Sequence, residues 1–312
     1  MKEKFKVVFF GTPAFAGPAL TALIRQNFNV VACVTKPDSE AGRELKLTVS
    51  PVKKICLTHK IPVLQPEKIR DEEFLRRLSA FKPAVIIVVA YGKILPASIL
   101  NLPPFGALNV HASLLPKYRG ASPIQAALLH GDQETGVTLM KMDEQMDTGP
   151  ILAQEKIKVP PEANLEILHD KLALAGAKLL IKTLPLYLQG KISPEPQNNS
   201  LASYTKIIKK EDGHLDFNSP AENLARKIRA YNPWPGTFTY WQGTLLKILS
   251  VEIKEKNTGL KPGQVSVSHQ NIYVAAKDKI LSVKKLQLEG RRATSANPFI
   301  LGHPDIDHAF LI

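Results

Sequence analysis

Cysteine is nearly absent from this chain: its 312 residues include two, Cys33 and Cys56. They show no Cys-x-x-Cys spacing, so neither a disulfide framework nor a structural zinc site can be read, and both are expected to pack as small apolar groups. Long apolar runs are missing too. The longest, Ala84 to Ala90, is far too short to span a bilayer, and Met1-Lys2-Glu3-Lys4 lacks the apolar core of a signal peptide. A cytoplasmic protein with no membrane partner is expected. Cofactor signatures are likewise wanting. After the first apolar run the spacing is Gly11 then Gly17 rather than Gly-x-Gly-x-x-Gly, and the next run ends in Thr35 without an acidic ribose ligand, which speaks against a dinucleotide site. Gly92-Lys93 and Gly190-Lys191 are each followed by isoleucine, so there is no Gly-Lys-Ser/Thr phosphate loop, and there is no His-Glu-x-x-His. His59, His130, His169, His214, His269, His303 and His308 share no ligand spacing; they are expected to be structural or exposed, and no metal is expected.

What remains is an ordinary globular composition, 44% hydrophobic and 22% charged, over a length that favours two domains. The surplus of positive charge, +13, suits a polyanionic partner such as nucleic acid, although a generally basic enzyme would show it as well. Its distribution helps. Residues 203–312 hold 16 Lys or Arg against 10 Asp or Glu, and residues 1–202 hold 25 against 18, so the tail carries about twice the net charge per residue.

Along the first two thirds, apolar runs alternate with amphipathic stretches. Strands are expected at Phe5–Phe10, Val30–Thr35, Pro62–Gln65, Ala84–Ala90, Ala107–His111, Val137–Lys141 and Pro150–Val159. Helices are expected after Gly11-Thr12-Pro13 to about Gln26, with Thr12 as cap, and at Val52–His59, Asp71–Ser79, Ser122–His130 and Asn164–Leu188. Such alternation gives an α/β fold with a doubly wound, mostly parallel sheet, here residues 1–190. A polar, proline-bearing stretch, 191–205, reads as a linker. Beyond it a helix at Ala221–Ala230 and five short alternating runs between Thr237 and Leu288 suggest a smaller C-terminal β-barrel, OB-like, over 206–312. Trp234, between two prolines, is expected to pack inside.

Ligands of such sheets bind beyond the carboxyl ends of the strands, where Gly11, Tyr91, Asn109 and His111 fall. Asn109 and His111 are two apart on a strand and face one side together. With Asp147 they form an amide, an imidazole and a carboxylate, a set that can polarise a carbonyl and move protons around a nucleophile. Taken singly, each has a plainer reading: a strand-ending asparagine, a satisfied core histidine, a loop aspartate.

The text around them decides. Asn109-Val110-His111-Ala112-Ser113-Leu114-Leu115-Pro116-Lys117-Tyr118-Arg119-Gly120, Gly131 to Thr138, and Met142 to Leu152 with Asp147-Thr148-Gly149 resemble the signature of folate-dependent formyltransferases. Gly11-Thr12-Pro13, Val89-Ala90-Tyr91-Gly92 and Asn232-Pro233-Trp234-Pro235 extend the resemblance over nearly the whole chain. It implies a formyltransferase-like Rossmann variant, 10-formyltetrahydrofolate as co-substrate, and the α-amino group of methionine on initiator tRNA as acceptor, in translation initiation. It assigns the folate to Ser113, Leu114, Leu115 and Pro116, with Tyr91 counted beside them. It assigns the acceptor end of the tRNA to the polar connection Lys36–Lys46, with Arg43 foremost and Lys46 next. Glu44 and Leu45 depart there from the family's glycine and base. In the tail, Lys206, Lys209 and Lys210, with Arg226, Lys227, Arg229, Lys284, Lys285, Arg291 and Arg292, are candidates for phosphate, or plain solvated charge; Lys117 and Arg119 stand evenly between contact and solvated charge. Asn109 and a protonated His111 are expected to donate to the formyl oxygen, and Asp147 to favour the protonated ring and take the amine proton. A transferase for a small amine, a formyl-folate hydrolase or a non-catalytic RNA binder would share parts of this pattern. A monomer is expected.

Overall fold

The computed structural model describes residues 4–41, 46–254 and 259–312, and the chain clusters into two units. The first contains strands β1 (Lys6–Gly11), β2 (Asn29–Val34), β3 (Ser39–Ala41), β4 (Lys46–Thr48), β5 (Val63–Leu64), β6 (Val85–Val89), β7 (Ala107–His111), β8 (Arg119–Gly120), β9 (Glu134–Lys141), β10 (Ile151–Lys158) and β11 (Tyr204–Thr205). Its helices are α1 (Gly17–Arg25), α2 (Pro51–Thr58), α3 (Glu72–Ala80) and α4 (Ala97–Leu100); α5 (Pro123–His130) falls almost wholly in the second unit, and α6 (Leu165–Leu188) belongs to the first from His169 onward.

Seven strands form one sheet in the order β10-β9-β7-β6-β1-β2-β5. The five from β7 to β5 are parallel, and β9 runs antiparallel between β7 and β10. β1 and β6 are apolar and buried along nearly their whole length, as strands covered on both faces must be. From β1 the chain first winds outward to β2 and β5, then returns past β1 to β6 and β7. The winding therefore reverses between β1 and β6, which is where open α/β sheets hold their ligands.

Local chemistry sets the helix starts. Ser50 caps α2 by accepting from the Lys53 amide at 3.1 Å, with Pro51 in the first turn, and Asp71 caps α3 through the Phe74 amide at 3.1 Å. Thr12 does not cap. The first turn, Ala14–Ala16, is 3₁₀, with Pro13 at the cap position, and the Thr12 hydroxyl instead accepts from the Lys36 amide at 3.3 Å at the end of the adjacent strand. Cys33 and Cys56 are free, buried thiols.

The polar connection after β2 is more ordered at its base than a loop. β3 and β4 pair antiparallel, and below them Asp38 takes the Lys53 ammonium and the Gln65 amide. Those two donors hold the Asp38 carboxyl below its usual value. Arg43 lies outside the described residues.

The second unit has its own core, centred on Leu224, Trp241, Leu246, Val274, Leu281 and Phe299. Helix α7 (Ala221–Tyr231) buries one apolar stripe. Strands β12 (Phe238–Trp241), β13 (Thr244–Lys254), β14 (Val265–Ser268), β15 (Asn271–Ala275), β16 (Ile280–Leu288) and β17 (Thr294–Ser295) form an antiparallel sheet in the order β12-β13-β16-β15-β14, with β17 on β16; α8 (Ala296–Gly302) follows. The last residues close it. Ala309 and Leu311 bond to Val265 and Gly263 on one edge at 2.8 and 2.9 Å, and Ile312 exchanges two bonds with Tyr240 on the other, which makes the sheet a barrel. Trp234 is 52% exposed, contrary to expectation.

Candidate active site

β7 positions the first two groups. Val110 points to α6, where a side chain on Gly176 would come within 2.6 Å of its Cγ1. Asn109 and His111 occupy the opposite face, level with Val88 on β6 and Thr138 on β9 respectively. Asn109 is half-buried, and no hydrogen bond engages its amide among the described residues.

Beyond β7 the chain makes a tightly bonded turn. Thr138 Oγ1 donates to Ser113 O at 2.7 Å and accepts from the Leu115 amide at 3.1 Å, and Gln154 Nε2 donates to Leu115 O at 2.8 Å. The chain then doubles back through Tyr118, whose φ of 61° lies in the left-handed region, and the Tyr118 carbonyl accepts from His111 Nε2 at 3.0 Å. Asp147 arrives on the loop between β9 and β10, also left-handed at φ 55°. Its Oδ2 accepts from the Gly120 amide at 2.8 Å and stands 3.6 Å from His111 Nδ1. Both ring nitrogens thus face oxygen. At 3.6 Å the contact between Nδ1 and Oδ2 is longer than a hydrogen bond.

Gly149 closes the loop: a Cβ there would lie 1.8 Å from the Lys141 carbonyl, so only glycine lets the two backbones meet.

The structure therefore brings His111 and Asp147 together and sets Asn109 on the same strand face. Ser113 is fully buried and its hydroxyl donates to Lys117 O. Leu115 is buried, and Leu114 and Pro116 are half-buried. Tyr91 is a core residue, 2% exposed, edge-on to Phe10 at 5.3 Å, with a hydroxyl that has no partner. Burial pushes that hydroxyl up to about 12. Lys206, Lys209 and Lys210 are exposed, whereas only the backbone of Lys46 is described. Of the other tail cations, Arg226 meets Glu222 and the His130 carbonyl, Lys227 donates to the His214 carbonyl at 2.6 Å, and Arg229 is half-buried, with burial pulling both Lys227 and Arg229 below their usual values. Two surface clefts, about 490 Å³ beside Asn27–Val30 and about 390 Å³ beside Leu64–Lys68, include none of the three site residues.

Sequence reasoning missed what surrounds the site. Lys117 is exposed but Arg119 is 1% exposed, and the expected linker supplies its partners: Gln197 Oε1, Asn199 Oδ1 and Tyr204 OH. β11 pairs with β8, and Ser203 Oγ accepts from the Tyr118 amide at 2.9 Å, so residues 197–206 form a strap over 116–122. One signal was present: from Gly106 to Gly131 there is no acidic residue, so Arg119 had no nearby counter-charge.

Among the described residues no group of three or more His, Cys, Asp or Glu could hold a metal ion, and no helix is long and apolar enough to cross a membrane. The Formyl transferase family matches residues 4–184, and the Formyl transferase, C-terminal domain, matches 207–304. A methionyl-tRNA formyltransferase of Caldanaerobacter subterraneus subsp. tengcongensis is 44% identical over 299 residues, 96% of this chain and 97% of that protein. Among solved structures, HypX from Aquifex aeolicus in complex with tetrahydrofolic acid shares the fold at TM-score 0.67 and 15% identity, over 96% of this chain; the chain spans about half of it, 47%. Methionyl-tRNA formyltransferase from Clostridium thermocellum gives TM-score 0.56 and 17% identity, over 81% of this chain and 95% of that one.

Proposed function

Because the chain belongs to the formyl transferase family, among its methionyl-tRNA formyltransferases, we propose that it moves the formyl group of 10-formyltetrahydrofolate to the α-amino group of methionine on initiator tRNA. Asn109, His111 and Asp147 carry the chemistry. The observation that supports this most is the placement of His111: Nε2 donates to the Tyr118 carbonyl at 3.0 Å and Nδ1 faces Asp147 at 3.6 Å.

The acceptor needs little base strength, since a free α-amine titrates at roughly 7.7 to 8.0. Its lone pair attacks the formyl carbon. The carbonyl oxygen becomes an oxyanion, to which the Asn109 amide and His111 Nδ1–H donate, while the nitrogen becomes cationic. Asp147, whose Oδ1 has no partner among the described residues, takes that proton directly or through one water. His111 then protonates the folate nitrogen as the C–N bond breaks, and the proton held by Asp147 returns to Nδ1 across the same gap. Formylmethionyl-tRNA and tetrahydrofolate leave, and the site is restored.

The folate is assigned to Ser113, Leu114, Leu115 and Pro116, with Tyr91 counted beside them. The division proposed is 1–190 catalytic, 191–205 connecting, and 206–312 a tRNA-binding barrel, with Lys206, Lys209, Lys210, Arg43 and Lys46 on phosphate. Charged tRNA as substrate also makes the protein cytoplasmic, and a monomer suffices for the reaction. The test is formylation of charged initiator tRNA with 10-formyltetrahydrofolate. Stoichiometric formylmethionyl-tRNA is expected; RNA binding without any formyl transfer would sink the reading.

A further inference from the structure

We infer that Arg119 and Gln197 form a clasp that positions Asp147, so that the strap from the far end of the first unit sets the proton acceptor of the site. The inference rests on the role proposed for Asp147. Three consecutive residues converge on the site by three routes. The Tyr118 carbonyl takes His111 Nε2 at 3.0 Å, and the Gly120 amide holds Asp147 Oδ2 at 2.8 Å. Between them the Arg119 side chain reaches Gln197, with Nε and Nη2 both donating to Oε1 at 3.1 and 2.7 Å.

The Gln197 amide carries the link onward. Its Nε2 donates to Asp147 O at 2.9 Å and to Gly149 O at 2.7 Å, the two carbonyls flanking the turn at Thr148. The orientation of this amide follows from its neighbours: the reversed group would set NH₂ against guanidinium and oxygen against two carbonyls. Arg119 is 1% exposed, and no carboxylate comes within 4 Å of it among the described residues. A buried guanidinium enclosed only by neutral oxygens is not a stabilising ion pair. Its forked geometry orients one glutamine, and that glutamine fixes the backbone of a left-handed aspartate.

The clasp acts on the reaction only through Asp147, which makes a double-mutant cycle decisive. Arg119→Lys keeps the charge and loses the fork. A misplacement of about 1 Å at a reacting group can cost on the order of a hundredfold, so a kcat loss of about tenfold or more is expected, with KM for both substrates within about twofold. In an Asp147→Asn background, where the acceptor is already gone, the same change is expected to cost less than about twofold. Gln197→Glu runs the cycle from the other side, since it retains acceptors for Arg119 but removes the NH₂ that holds Asp147 and Gly149. Gln197 is half-buried, so this variant decides the matter if Arg119→Lys does not fold. Equal losses in both backgrounds, or no loss in the native one, overturn the clasp. If Asp147→Asn alone leaves kcat intact, the assignment of Asp147 falls and the clasp falls with it. If Asp147→Asn is crippled but the losses add, only the clasp falls.

Discussion

Charge separates two polar stretches of the first unit. Residues 197–205 carry no charged side chain, whereas 36–46 carry six, Lys36, Asp38, Glu40, Arg43, Glu44 and Lys46. The first lies along the surface of the unit, none of its residues fully buried, and covers a buried arginine with amide and hydroxyl oxygens. The described part of the second is held at its root, where Asp38 meets Lys53 and Gln65. Neutral amides can be enclosed because each turns one atom to a donor and another to an acceptor, with no second charge to desolvate. Ionised groups resist enclosure unless opposite charges or, as at Arg119, several neutral oxygens surround them. On the proposed reading, one stretch holds the site and the other meets the charged substrate.

Substitutions can sharpen or break that contrast. Activity at the site sets its ceiling: His111→Ala and Asn109→Ala are each expected to lower kcat on the order of a hundredfold to a thousandfold, with tRNA affinity near normal. A filter-binding and formylation pair measures both, and retention of most activity removes that residue from the mechanism. Gly120→Ala attacks the strap. With φ at 111°, an added Cβ would lie 2.4 Å from Thr205 O, so a stability loss of roughly 1 to 3 kcal/mol is expected, together with lower kcat as the Gly120 amide leaves Asp147. Thermal melts and turnover should move together; unchanged turnover would mean that the strap stabilises without positioning. Arg43→Ala tests the other stretch. KM for charged tRNA should rise about tenfold while slow hydrolysis of the formyl-folate stays constant, as expected for one lost phosphate contact. A fall in kcat instead would erase the contrast. The smallest effect is expected at Tyr91→Phe, which deletes an unpartnered buried hydroxyl. Stability should hold or rise within about 1 kcal/mol with KM for the folate unchanged, and a weaker folate KM would return the hydroxyl to the ligand site.

These outcomes also bear on what a linear text can convey. The sheet was legible because buried parallel strands are uniform apolar runs, as at Val85–Val89. Asn109 and His111 were legible as a pair because a strand repeats every two residues. The strap was not. Arg119 finds its partners 78 to 85 residues away, and no local period records such a meeting. Thr12 misled for a related reason: its hydroxyl serves the neighbouring strand instead of its own helix. Trp234 misled through its residue type, since tryptophan is usually covered, yet here it is half bare.

The strap also has a bearing on timing. Gln197 is made 78 residues after Arg119, a lag of roughly 4 to 16 s at 5 to 20 residues per second on the ribosome. Until it emerges, a nascent chain can hold its sheet with Asn109 and His111 already on β7, while the guanidinium lacks its enclosure and the Asp147 backbone lacks the Gln197 contacts. On the clasp reading, competence comes with a late joining of distant segments and not with the sheet itself, so a half-made chain would carry Asn109 and His111 in place before Asp147 is fully held.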